Sequence, residues 1–118
     1  GNSGPYLQYT YARTNSVLLK AGVKEGKNLS NKLNKEEEVV LRSLVRFPEI
    51  IETAAKNYSP NLLASYLFEL AQKYNNFYNK HKIIGGENED FRLMLTKGTG
   101  QVLKNGLSIL GIETPERM

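Results

Sequence analysis

The sequence predicts an all-α fold, a helical bundle of four or five helices. Apolar residues recur at steps of three and four, and no stretch shows the alternation of a half-buried strand. A chain of 118 residues can bury a core without disulfides, and this one contains no Cys. We therefore expect a single domain that covers residues 1–118.

The first predicted helix runs from about Pro5 to Ala21 and ends at Gly22, since glycine commonly terminates helices. Its expected apolar face comprises three residues near helical spacing: Leu7, Tyr11 and Leu18. Residues 23–33 carry three lysines and a glycine, and are expected to form a basic connector.

The second predicted helix begins after Asn34, whose side chain can cap it. Three glutamates at 36–38 then occupy its first turn, where the helix dipole favours anions. Pro48 interrupts this helix, because the residue before a proline avoids the helical region. A short third helix is expected over Glu49–Asn57, with Pro48 at its first position.

The strongest predicted helix opens at Ser59-Pro60, with Ser59 as the N-cap. Its core-facing seam has apolar residues at steps of four, three, four and three: Leu63, Leu67, Leu70, Tyr74 and Phe77. A loop with Gly85-Gly86 separates it from the last helix, which runs from about Asn88 or Asp90 to Leu110.

Three glycines, Gly98, Gly100 and Gly106, lie inside the last predicted helix. Each costs on the order of 1 kcal/mol relative to alanine. They indicate either close approach of a neighbouring helix or a soft stretch over residues 96–100.

The final segment, Ile112–Met118, is expected to be held in place. An apolar residue directly after Gly111 is the pattern by which a helix C-cap folds the chain back on its last turn. Pro115 then stiffens the approach to Arg117 and Met118. A terminus held in this way suggests that it contributes to a site.

The sequence gives little support for a catalytic function. His81 is the only histidine, which excludes metal sites needing two, and we expect it to be exposed and structural. The glutamates at 36–38 and the acidic residues at 87–90 fall at predicted helix starts, where the dipole explains them. Lys97–Gly100 lacks the spacing of a phosphate-binding loop. We predict no catalytic residue and no metal site.

Binding to a polyanion is better supported. Six of the sixteen basic residues, but only one of the twelve acidic residues, lie within residues 1–35. Such asymmetry favours a polyanion partner, although an incidentally basic surface explains the charge equally well.

One face of the first helix combines aromatic and cationic side chains at steps of three and four: Tyr6, Tyr9, Arg13, Ser16 and Lys20. Rings and guanidinium planes stack on unpaired RNA bases, and cations meet phosphates. Tyr78 lies off the seam of the fourth helix and can also reach a ligand. The alternatives are that Tyr6 and Tyr9 are half-buried packing residues and that Tyr78 simply faces solvent.

Several motifs, in order, resemble the C-terminal domain of arginyl-tRNA synthetases. Residues 4–13 (GPYLQYTYAR) resemble the signature that opens this domain. The match continues through Phe47–Glu49, Tyr66–Ala71, Asn76–Tyr78, Gln101–Leu107, Leu110–Ile112 and the closing Arg117-Met118. Tyr11 departs from the histidine of many relatives, and Gly98 and Gly100 fall where relatives have better helix formers.

The resemblance implies the DALR anticodon-binding domain of a class I aminoacyl-tRNA synthetase. The parent would be an arginine–tRNA ligase, a cytoplasmic enzyme that charges tRNA(Arg) with arginine using ATP and magnesium. The HIGH and KMSKS-type motifs do not occur in the sequence, so we expect an isolated, non-catalytic C-terminal fragment that needs no cofactor. Its expected partners are the tRNA(Arg) anticodon stem-loop and the catalytic domain, with no membrane and no DNA.

The resemblance also implies which residues meet RNA. Tyr9, Arg13, Tyr78 and Met118 match positions that face the anticodon in the family. Position and charge add Lys20, Tyr6 and Arg117 to the predicted RNA-binding set. The alternative function is a helical protein–protein interaction module whose basic face is incidental.

Overall fold

The computed structural model describes residues 3–22 and 32–115, and these residues form five helices without a strand. The helices are α1 (Ser3–Ala21), α2 (Lys35–Val45), α3 (Phe47–Lys56), α4 (Pro60–Lys80) and α5 (Glu89–Ile109). The predicted all-α bundle is confirmed. Most of the predicted basic connector, residues 23–31, lies outside the described residues.

The core lies where α1, α4 and α5 meet. Helix α1 packs on both α4 and α5, α2 packs on the same two helices, and α3 packs on α4. The predicted seam of α4 is buried along its whole length, from Leu63 to Phe77. Burying each such side chain stabilises the fold by roughly 1.5–3 kcal/mol.

Local signals set the starts of α2 and α3 largely as predicted. Asn34 accepts a hydrogen bond from the Glu37 amide at 2.8 Å, and the Glu37 carboxylate accepts one from the Asn34 amide at 2.9 Å. This reciprocal capping box satisfies two donors at the helix end. Helix α3 begins at Phe47 rather than after Pro48, because a proline in the first turn removes no intrahelical hydrogen bond.

The predicted N-cap at Ser59 is only partly right. Ser59 precedes Pro60 at the start of α4, but its side chain makes no capping hydrogen bond. Its ψ angle is 85°, whereas Asn34, whose side chain does cap, has a ψ of 174°. Ser59 therefore lacks the extended backbone conformation that a capping side chain normally requires.

The glycines of α5 permit close packing. A Cβ on Gly106 would lie 2.6 Å from both Cδ atoms of Leu67 on α4. A Cβ on Gly100 would lie 2.6 Å from the Thr14 hydroxyl on α1. The geometry therefore supports the close-approach alternative for these two glycines.

The close approach of α5 also explains why the predicted buried face of α1 is wrong in part. Leu7 is buried as expected, but Tyr11 and Leu18 are only half-buried. The other buried residues of α1 are small or β-branched: Thr10, Ala12, Thr14 and Val17. Because glycine on α5 lets α1 approach closely, only narrow side chains fit on the face of α1 that packs against it.

The predicted fold-back after α5 is confirmed as far as Glu113. Gly111 has a φ of +77°, and the Ile112 and Gly111 amides donate to the carbonyls of Leu107 and Ser108. This pair of hydrogen bonds is a Schellman motif. Ile112 packs on the core, and the Gln8 amide donates to the Glu113 carbonyl at 2.9 Å, which fastens the segment to α1.

Candidate nucleic-acid interface

A concavity of about 690 Å³ lies between α1 and the loop that follows α4, and we call it the α1 groove. Four of the predicted face residues of α1 line it: Tyr9, Arg13, Ser16 and Lys20. The opposite side is formed by Tyr78 and residues 81–84. The structure thus brings the α1 face and Tyr78 together.

Arg13 is the centre of the α1 groove. Its guanidinium carbon lies 4.2 Å from the ring centroid of Tyr78 and 5.0 Å from that of Tyr9. Its Nη2 donates a hydrogen bond to the Tyr9 hydroxyl at 2.7 Å. A guanidinium over an aromatic face gains from cation–π attraction and keeps its edge donors available for hydrogen bonds.

The guanidinium of Arg13 also contacts the buried side-chain amide of Asn75. Arg13 Nη1 donates to Asn75 Oδ1 at 2.9 Å, and Asn75 is only 9% exposed. Asn75 Nδ2 in turn donates to the Tyr6 hydroxyl and to Thr10 Oγ1, each at 3.0 Å. Sequence reasoning gave Asn75 no role. Its position three residues before Tyr78, on the same side of α4, is the signal that was available.

Tyr6 does not line the α1 groove. Its ring packs against Phe68 with the centroids 5.3 Å apart, and its hydroxyl accepts from Asn75. The packing alternative therefore describes Tyr6, while Tyr9 is 46% exposed and open to a ligand. Arg117 and Met118, the other predicted members of the set, lie outside the described residues.

His81 corrects an expectation, since it is half-buried rather than exposed. Its Nε2 lies 2.8 Å from Glu36 Oε1, which ties the end of α4 to the start of α2. The hydrogen bond with His81, assisted by the charge of Lys80, holds the pKa of Glu36 below its usual value against the opposing effect of burial. Glu36 therefore does more than complement the helix dipole.

A buried ion pair fixes the loop on the far side of the groove. Arg92 Nε donates to Glu37 Oε2 at 2.7 Å, and Arg92 Nη1 donates to the Lys82 carbonyl at 2.7 Å. Lys82 is exposed and lines the groove together with Lys20, so this pair fixes the backbone that carries a second cation of the groove. Sequence reasoning missed the pair because its members are 55 positions apart.

Residues 3–22 and 32–115 contain no group of three or more His, Asp or Glu side chains arranged to hold a metal ion. None of their helices is long and apolar enough to cross a membrane.

Comparison with known proteins gives consistent matches over the whole chain. The model of the DALR anticodon binding domain family matches residues 7–118. The chain is 41% identical to an arginine–tRNA ligase of Flavobacterium psychrophilum, covering all of this chain and 20% of that protein. Its fold is similar to the solved arginyl-tRNA synthetase of Thermus thermophilus, with a TM-score of 0.92, 34% identity and coverage of 100% and 21% of the two chains.

Proposed function

The chain belongs to the DALR anticodon binding domain family, and on this premise we propose that it binds the anticodon loop of tRNA(Arg). The chain spans about a fifth of the length of the curated relatives it matches. We therefore propose that residues 1–118 form one domain, the C-terminal one, of a longer arginine–tRNA ligase.

In that longer protein, the catalytic domain is the other partner of this domain. It would join arginine to tRNA(Arg) with ATP and magnesium in the cytoplasm. The residues described here offer no metal-ion cluster, and the sequence lacks the HIGH and KMSKS-type motifs, so we assign ATP and magnesium to the rest of the enzyme.

The observation that carries the proposal is the placement of Arg13 between two tyrosines. An unpaired base can stack on the exposed ring of Tyr9, and stacking contributes roughly 1–3 kcal/mol per base. Arg13 has five N–H donors, and the described contacts use two of them. The contacts among residues 3–22 and 32–115 leave the other three for the edge of a base or for a phosphate.

The rim of the α1 groove supplies further positive charge. Lys20 on α1 and Lys82 in the facing loop are both exposed on its walls. Cations on both sides of a groove attract the phosphates of a single strand while its bases face the floor. Binding is thus expected to weaken steeply as the salt concentration rises.

Met118 belongs to the proposal through the family resemblance, and Arg117 belongs to it through its position beside Met118 and its charge. What supports their inclusion is that the chain leading to them is anchored. The Schellman motif and the Gln8–Glu113 hydrogen bond hold it against α1, the helix that carries Tyr9 and Arg13. We propose that Met118 packs against a base in the groove and that Arg117 meets a phosphate.

A second candidate function, docking to another protein domain, rests on a different surface. An apolar concavity of about 360 Å³ lies between α3, the start of α4 and the end of α5. It includes Tyr58 and Ile109, which are 92% and 61% exposed. Exposed apolar surface of this kind is typical of protein contacts.

Binding of RNA stem-loops by fluorescence anisotropy tests the primary proposal. The arginine anticodon stem-loop is compared with one whose central anticodon base is changed, at low and at moderate salt. Tighter binding of the arginine stem-loop, weakened by Tyr9→Ala and by deletion of Met118, supports the proposal. Equal affinity for both stem-loops contradicts anticodon recognition.

A further inference from the structure

We propose that Asn75 is a positioning residue that orients Arg13 for RNA and does not itself contact RNA. This inference rests on the proposed function, because it explains how the α1 groove is prepared for a nucleotide. The residues that carry it are Asn75, Arg13 and the hydroxyls of α1.

The hydrogen-bond network fixes which way the Asn75 amide faces. The Arg13 guanidinium can only donate, so its partner must be the amide oxygen. Thr10 Oγ1 donates to the Tyr6 carbonyl at 2.9 Å and therefore accepts from the amide nitrogen. Both hydrogens of Nδ2 are used, one on Thr10 and one on the Tyr6 hydroxyl. The oxygen is thus held toward Arg13.

The same helix supplies both constraints on the guanidinium. Asn75 and Tyr78 are separated by one helical turn of α4, so they lie on one side of it. Tyr78 supports the guanidinium from its face at 4.2 Å, and Asn75 holds its edge at 2.9 Å. A face contact and an edge contact together fix both the position and the plane of the group.

Without Asn75, the described residues would leave Arg13 its contacts with Tyr9 and Tyr78. The Tyr9 side chain is itself 46% exposed, so it holds Arg13 less firmly. A long side chain loses rotamer freedom when RNA orders it, and this loss weakens binding. Asn75 orders the side chain in advance. Asn75 is buried and is not among the residues that line the α1 groove, and of its three hydrogen-bond partners Arg13 is the one that lines it, so its effect on RNA is expected to pass through Arg13.

The first test needs no RNA. The Nη1–H signal of Arg13, the donor to Asn75, is observed by NMR in the 118-residue chain, in wild type and in Asn75→Leu, with Asn76→Leu as the control on the exposed side of α4. We expect a slowly exchanging signal in wild type and in the control, and a fast-exchanging one in Asn75→Leu. An unchanged signal in Asn75→Leu overturns the proposal.

Asn75→Asp covers the case in which Asn75→Leu does not fold. The carboxylate keeps an acceptor for Arg13, so the Nη1–H signal should remain protected. RNA affinity should nevertheless fall, because the new charge neutralises the guanidinium. Loss of the Arg13 signal in a folded Asn75→Asp protein contradicts the positioning role.

The second test is a double-mutant cycle on stem-loop affinity. Asn75→Leu and Arg13→Ala should each weaken binding about tenfold, the size expected for a hydrogen bond to a charged group. Together they should also weaken it about tenfold, because Asn75 acts on RNA through Arg13 and has nothing to orient once Arg13 is gone. A combined loss near a hundredfold, with unchanged thermal unfolding, shows that Asn75 acts independently of Arg13. If wild type binds no RNA, the proposed function fails, and the NMR signals alone decide the positioning role.

Discussion

At the scale of single residues, the charge of Arg13 is the central feature. Both hydrogen-bond partners that the described residues give it, Asn75 and the Tyr9 hydroxyl, are neutral. Arg92 differs, since its charge is matched by buried Glu37. Charge that is oriented by neutral groups stays available to an anionic ligand, whereas the pair of Arg92 and Glu37 stabilises the fold.

Replacing Arg13 with lysine tests whether the shape of the guanidinium matters. Lysine keeps the charge, but it cannot lie flat on Tyr78 while bonding Asn75 and Tyr9 together. We expect Arg13→Lys to weaken stem-loop binding about tenfold, the loss of one or two charge-assisted hydrogen bonds. Arg42→Lys is the matched control, because Arg42 is exposed on α2 and pairs with Glu38. If the two substitutions weakened stem-loop binding equally, binding would depend on net charge and not on the shape of the Arg13 guanidinium.

Tyr74 gives a residue-scale prediction for alkaline pH. Burial raises its pKa from 10.0 to about 12, against a lowering by the hydrogen bond with Thr96. Its contribution to stability is therefore fully present below about pH 10 and is lost as the pH rises toward 12. Tyr74→Phe, which cannot ionise, should flatten the fall of the unfolding free energy above pH 10. The exposed Tyr58→Phe should leave the fall unchanged, and urea unfolding at several pH values measures both.

At the scale of helices, α5 is shaped by what its neighbours need. Its glycines let α1 and α4 approach closely, and this contact selects small residues on α1. Local signals alone predict the cap at Asn34, the seam of α4 and the Gly111 fold-back. They do not predict the burial of Thr10 and Thr14, because that depends on a helix far along the chain.

One part of the α1 groove can be predicted from the sequence, and another part cannot. The spacing of Tyr9, Arg13 and Lys20 on one helix is a local pattern, and the sequence shows it directly. The Arg13–Asn75 contact joins positions 62 apart, and the Glu37–Arg92 pair joins positions 55 apart. No periodicity within one helix can indicate such contacts, since the packing of α4 on α1 creates the first and the packing of α5 on α2 creates the second.

Gly106→Ala tests the close packing of α5 on α4. The added methyl would meet Leu67 at 2.6 Å, and overpacking costs roughly 1–3 kcal/mol. Alanine is also more favourable than glycine inside a helix by up to about 1 kcal/mol, which offsets part of the overpacking cost. We expect a net loss of stability of about 1–2 kcal/mol by urea or thermal unfolding. Ser108→Ala, at an exposed position of α5, is the control and should change stability by less than about 0.5 kcal/mol. A stabilised Gly106→Ala protein would contradict the tight contact.

At the scale of the whole molecule, two different surfaces lie at the two ends of α4. The apolar concavity includes Pro60 and Leu63, and the α1 groove includes Tyr78. Fifteen residues of helix place Leu63 and Tyr78 about 20 Å apart. RNA binding at one end and protein docking at the other therefore need not compete.

This separation predicts that the two functions can be altered independently. Tyr58 has a φ of +49° and is 92% exposed, so Tyr58→Asn removes apolar surface and introduces a residue that tolerates this backbone. We expect unchanged stem-loop affinity, within about twofold, and unchanged or slightly higher stability. Weakened RNA binding in a folded Tyr58→Asn protein would show that the two ends are coupled.

The most direct measurement is an NMR titration of the isotopically labelled chain with the arginine anticodon stem-loop. The largest shifts are predicted at Tyr9, Arg13, Lys20 and Tyr78, together with the loop around Lys82. The residues around Tyr58 and Ile109 should serve as the unshifted reference. Shifts that centre on those two residues, or that are absent while RNA is bound elsewhere, would contradict the assignment of the α1 groove as the anticodon-binding surface.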